Sequence, residues 1–104
     1  MSKAVEYFEN IQRIMNRIIT EQIENIEKAA RAVADTLKSG GRIHAFGTGH
    51  SHMLAEEIFY RAGGLVNVNP ILESGLMLHE SASKSTALER LEGYGEIIFD
   101  FNSI

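Results

Sequence analysis

The chain has 104 residues, 44% of them hydrophobic and 23% charged, with a formal net charge of −4; this suits one globular domain and excludes a broad basic surface for nucleic acid. It contains no cysteine, which rules out disulfides and thiolate metal sites and suits a reducing cytoplasm. No window approaches the ~20 apolar residues of a membrane span, and the start MSKAVEYFENIQ has no apolar leader, so neither membrane helix nor signal peptide is expected.

From Val5 to Leu37 there is no Pro or Gly, and apolar residues recur at three-and-four spacing through Phe8, Ile11, Met15, Ile18, Ile19, Ile23, Ile26, Ala30, Val33 and Leu37. That period predicts one long amphipathic helix. Its phase steps at Ile18 and Ile19, which leaves room for a kink, and Thr20 could cap a second helix if the first broke there; the expectation is one continuous helix. Such a helix is longer than a small domain needs, so part of its stripe is expected to pack on another chain. Residues 1–39 are read as this packing segment and residues 40–104 as an α/β domain.

Ser39, Gly40 and Gly41 end the helix, since glycine tolerates the left-handed cap conformation. Arg42 to Phe46 then reads as a strand stopping at Gly47, Ser51 to Ala62 as a helix closed by Gly63 and Gly64, and Leu65 to Val68 as a second strand before Asn69 and Pro70. Strand, helix and strand predict a βαβ crossover with parallel strands. Ser83 to Leu91 looks like a short helix ended by Gly93, while Tyr94 to Ile104 suits helix or strand. Two parallel strands cannot bury both their faces, so the chain is expected to be a fragment or to be completed by partners.

The loop GTGHSH, residues 47–52, lies at the first strand-to-helix corner. There the backbone N–H groups point outward at the positive end of a helix dipole, which suits an anion and phosphate above all. Gly47 and Gly49 allow close approach of the backbone, Thr48 and Ser51 offer hydroxyls, and His50 and His52 offer pH-dependent donors. The alternative is purely structural, with both glycines as turn formers and Ser51 as an N-cap. No lysine follows the loop, which rejects a Walker nucleotide site. His52 stands where a dinucleotide fingerprint needs its third glycine, and Asn67 and Asn69 replace the ribose-binding acid. A single phosphate remains.

His52 and Glu56 are spaced i and i+4, with His50 and Glu57 close by, a donor set that suits zinc. No HExxH pattern occurs, and alternate residues at a loop–helix junction can point apart, so no metal and no other cofactor is expected. His44 reads as a hydrogen-bonded strand residue. His79, beside Glu80 and followed by Lys84 and Ser85, forms a polar group after an apolar run and suits either a pocket or an exposed loop.

GGRIHAFGTGHSHMLAEEIFYRAGGL, LMLHES and KSTALERLEGYGE together resemble the start of bacterial SIS (sugar isomerase) domains, and more distantly phosphoheptose isomerase. The resemblance implies a three-layer, flavodoxin-like α/β fold, a five-stranded parallel sheet flanked by helices, that binds sugar phosphates at the interfaces of a dimer or tetramer. It matches Ser51 to the family's phosphate-contacting serine. The family's second phosphate loop, of the type SxSG, does not occur in these residues, so the sequence is expected to be the first part of such a domain. Ungapped alignment also puts Arg61 where phosphoheptose isomerase has its base glutamate. Glu57, one turn earlier, then stands as substitute base and His79 as acid. The resemblance implies a phosphosugar isomerase acting by proton transfer; a non-catalytic sugar-phosphate sensor and an oligomerisation fragment are the alternatives.

Overall fold

The computed structural model describes residues 1–104 and divides into two compact units, Met1–Ser39 and Gly40–Ile104. The first unit is helical. It breaks near the phase step of the apolar stripe, into α1 (Lys3–Glu21) and α2 (Ile23–Lys38), with Gln22 between them at φ −120. Ser2 caps α1 by accepting from the amide of Ala4 at 3.2 Å. Thr20 does not cap α2. Its hydroxyl instead donates back to the Asn16 carbonyl at 3.1 Å, and α2 starts without a side-chain cap. No residue of either helix is buried; the stripe is open along α1, with Phe8 at 70% exposure, while Val33 and Leu37 near the end of α2 are partly covered.

The second unit is built on β1 (Ile43–Phe46) and β2 (Val68–Ile71), paired in parallel with Ile43 opposite Val68 and Phe46 opposite Ile71. The crossover runs through a 3₁₀ turn, Gly49–Ser51, and α3 (His52–Glu57). Thus the expected α/β order is present, with two corrections of boundary. The helix expected to reach Ala62 stops at Glu57, since the β-branched and aromatic run Ile58, Phe59, Tyr60 favours helix poorly and Tyr60 adopts φ +52. The strand expected at Leu65–Val68 lies three residues later. Burial decides its position: Val66 is 93% exposed, whereas Val68 and Ile71 are buried. Pro70 is tolerated in β2 because each strand of a two-stranded sheet is an edge.

After a 3₁₀ turn at Ser74–Leu76 come α4 (Ala82–Glu89) and α5 (Tyr94–Asp100). Ser81 caps α4 by accepting from the Lys84 amide at 3.2 Å. The ambiguous C-terminal stretch is thus helical as far as Asp100, entered through Gly93 at φ +79. The core is small: Ile71, Leu76 and Ile98 are buried together, with Leu88 and Tyr94 packed against them. Two hydrogen bonds bracket it. Tyr94 donates to Glu73 Oε1 at 2.9 Å, and Lys84 donates to Glu80 Oε2 at 2.8 Å.

Candidate functional site

The corner after β1 is tight. A Cβ built on Gly47 would lie 2.6 Å from the Ser51 carbonyl oxygen and 2.8 Å from the His52 nitrogen, so no side chain fits against this backbone. Gly49 adopts φ +54, which also favours glycine. The Ser51 amide donates to the Thr48 carbonyl at 2.9 Å and closes the 3₁₀ turn. The amides at the start of such a turn have no carbonyl behind them.

Ser51 is not an N-cap. It has helical dihedrals, its side chain makes no capping bond, and it is exposed, so its hydroxyl is uncommitted to the fold. Thr48 is half-buried and also makes no cap bond, while His50 is exposed.

His52 is placed differently from its loop neighbours. Its ring is 3% exposed, and Nδ1 meets the Gly49 carbonyl, which can only accept; Nδ1 therefore carries the proton and donates. This bond pins the loop from behind. It also leaves Nε2 with a lone pair, and that buried atom has no hydrogen-bond partner. A buried polar atom without a partner costs about 1–3 kcal/mol. Glu56 Oε2 stands 3.4 Å from it, and the ring of His79 meets the His52 ring edge-to-face, centroids 5.4 Å apart.

His79 is thus brought to Glu56 and His52. Glu57 is exposed and forms an ion pair with Arg61, the residue one turn on. His44 accepts from the Asn69 amide at 3.0 Å and is a strand residue, as read from the sequence.

Glu89 was not singled out by sequence, because nothing local ties the end of α4 to a loop forty residues earlier. Its Oε1 lies 3.8 Å from the point a Cβ of Gly49 would occupy. Glu89 and Thr48 line an open cleft of about 310 Å³ with Phe46, Leu88 and Tyr94. A slightly larger cleft of about 350 Å³, at the turn after α3, is lined by Phe59, Tyr60 and Val66 and contains none of the expected loop residues.

Charge at the rim of the core is organised by pairs. Lys84, by hydrogen bond and charge, holds the Glu80 carboxyl below its usual range, with a small further pull from Ser74. Glu73 raises the Tyr94 phenol, first through the hydrogen bond it accepts and then with burial and charge.

The family model described as a SIS domain matches residues 6–104. The chain belongs to the SIS domain family. This SIS domain is 50% identical to a UPF0309 protein of Thermoanaerobacter pseudethanolicus over 98 residues, covering 92% of the chain and 40% of that relative. It is 44% identical to a UPF0309 protein of Geobacillus thermodenitrificans over 99 residues, 95% of the chain and 40% of the relative. A UPF0309 protein of Listeria monocytogenes is 43% identical over 90 residues, 86% of the chain and 36% of the relative. The chain spans about two fifths of the length of these curated relatives. The SIS domain is a sugar-phosphate-binding fold, and no helix of this one is long and apolar enough to cross a membrane.

Proposed function

We propose that this chain supplies a sugar-phosphate site in which the loop Gly47–Ser51 takes the phosphate. One observation carries this: at a corner so tight that Gly47 admits no side chain, the Ser51 hydroxyl is exposed and has no capping task. Ser51, Thr48, His50 and the leading loop amides are the donors, and His52 holds the loop in shape. Glu89 and the polar edge of the neighbouring cleft suit sugar hydroxyls, because a carboxylate accepts from them. We set this function in the cytoplasm and in a homo-oligomer formed through α1 and α2.

The reaction we propose for the site is aldose–ketose isomerisation. Glu57 takes the proton from the carbon next to the sugar carbonyl and returns it to the adjoining carbon, while His79 gives a proton to the carbonyl oxygen and accepts one from the neighbouring hydroxyl. A specific observation favours a non-catalytic sensor instead: Glu57 is already paired with Arg61.

One experiment tests both levels. The chain and Ser51→Ala are titrated with sugar phosphates and with the unphosphorylated sugars, and the mixtures are then held in deuterated water. Binding that requires the phosphate and weakens about tenfold to hundredfold in Ser51→Ala is expected, the equivalent of roughly 1.5–3 kcal/mol for a hydrogen bond to a charged group. Equal affinity for both sugar forms, or no change in the variant, refutes the phosphate loop. Deuterium entering the carbon beside the carbonyl identifies the isomerase, and tight binding without exchange identifies the sensor.

A further inference from the structure

His52 and Glu56 follow a loop–helix junction, where neighbouring side chains can point apart. In the folded chain they converge. His52, Glu56 and His79 each offer one ligand atom, and these atoms all lie within 4.8 Å of one another. We propose that they form a binding site for a divalent transition metal of the zinc class, with three protein ligands and a fourth position open. The phosphate loop uses other side chains, so this site does not depend on the phosphate reading; a metal held by His79 would withdraw that residue from the acid role proposed above and leave the sensor reading in place.

Three features point to a cation. The first is the His52 tautomer: with Nδ1 donating to the Gly49 carbonyl, Nε2 presents a bare lone pair, the arrangement by which a backbone carbonyl orients a ligating imidazole. The second is what the lone pair faces. Nε2 is buried, without a hydrogen-bond partner, and its neighbour at 3.4 Å is a carboxylate oxygen, another acceptor. Two acceptors that face each other need a positive charge between them.

A second proton on His52 would supply that charge, but a charge-assisted N–H···O bond contracts to about 2.7–2.9 Å. The observed 3.4 Å instead matches the edge of a tetrahedron around zinc, ~3.3 Å for ligand bonds of about 2.0–2.1 Å. The third feature is His79, which a proton shared by His52 and Glu56 would not require. Its ring centroid lies 5.4 Å from that of His52, and two imidazoles on one tetrahedral ion stand roughly 5 Å apart. Glu56 and His79 are exposed and free to close the remaining distance, while the buried His52 is fixed. Nitrogen and carboxylate donors in this ratio suit zinc or its neighbours, not calcium or magnesium.

The test uses the whole chain, stripped with a chelator and titrated with Zn²⁺ and then Co²⁺. One ion per chain is expected, and the cobalt form should show the intense visible bands of a four-coordinate site. Because His52 is buried and its loss endangers the fold, the variants are Glu56→Gln and His79→Asn, with circular dichroism to verify folding. Each should weaken Zn²⁺ binding by at least the roughly tenfold to hundredfold that loss of an outer partner alone produces. His50→Asn, an exposed histidine two residues from His52, should bind as the parent does. Absence of stoichiometric binding overturns the site, as does unchanged affinity in Glu56→Gln and His79→Asn, or loss of binding in His50→Asn.

Discussion

Gly47 is the residue on which the geometry of the loop turns, and the physical demand on it is specific. The atoms a Cβ would meet are the Ser51 carbonyl and the His52 nitrogen, which are backbone and cannot swing aside as a side chain would. Gly47→Ala must therefore open the corner, and we expect it to lower stability by about 1–3 kcal/mol, as overpacking does. Gly95 is the matching control. It lies within α5, does not need a positive φ, and has nothing within 4 Å of its built Cβ, so Gly95→Ala should gain about 0.5–1 kcal/mol from helix propensity. Thermal unfolding of both variants checks this pair; a Gly47→Ala protein that melts with the parent would show that the corner is not packed as described. The need for glycine here was legible in GTGHSH. That His52 turns inward was not, because the alternation of residues at a loop–helix junction does not say which one meets the Gly49 carbonyl.

Among the elements, those with a strong period or a clear stop were legible from sequence, and those placed by tertiary burial were not. The apolar stripe revealed the N-terminal helices, and its phase step lay within a few residues of the break at Gln22. The order of strand, helix and strand followed from Gly47 and the Gly63–Gly64 pair. By contrast, Leu65 and Val66 look as strand-like as Val68, and only packing under the sheet chooses between them. The same holds for α5, which Tyr94 ties to the segment before the Ser74 turn through Glu73. That tie has a pH signature. Because the folded phenol titrates above its usual value of about 10, neutral Tyr94 contributes stability that is fully present below that value and is lost as pH rises through the folded one. The stability difference between the parent and Tyr94→Phe should therefore stay level below pH ~10 and shrink above it. Melting temperatures across pH 8 to 11 read this directly, and a difference that stays level throughout would mean that the Tyr94–Glu73 bond does not form.

Taken as a whole molecule, the chain leaves much apolar surface open for its size. Phe8, Ile11, Ile14, Met15, Ile18 and Ile19 are all exposed along α1, and no side chain of α1 or α2 is buried. Scattered apolar residues are normal on a protein surface, but a continuous stripe along an entire helix is the mark of a contact. Most helical stability in proteins comes from packing an amphipathic face rather than from propensity, so the order of α1 and α2 itself calls for packing. The homo-oligomer proposed above meets both needs, because two copies of one stripe present each other with the same period. Sedimentation over a hundredfold range of concentration is then expected to show association, accompanied by rising helix content. Placing a charge in the stripe, as in Ile11→Lys with Met15→Glu, should shift the equilibrium towards monomer and lower the helix content with it. A cooperatively folding monomer at every concentration would refute the oligomer, and association undisturbed by the double substitution would place the contact on another face.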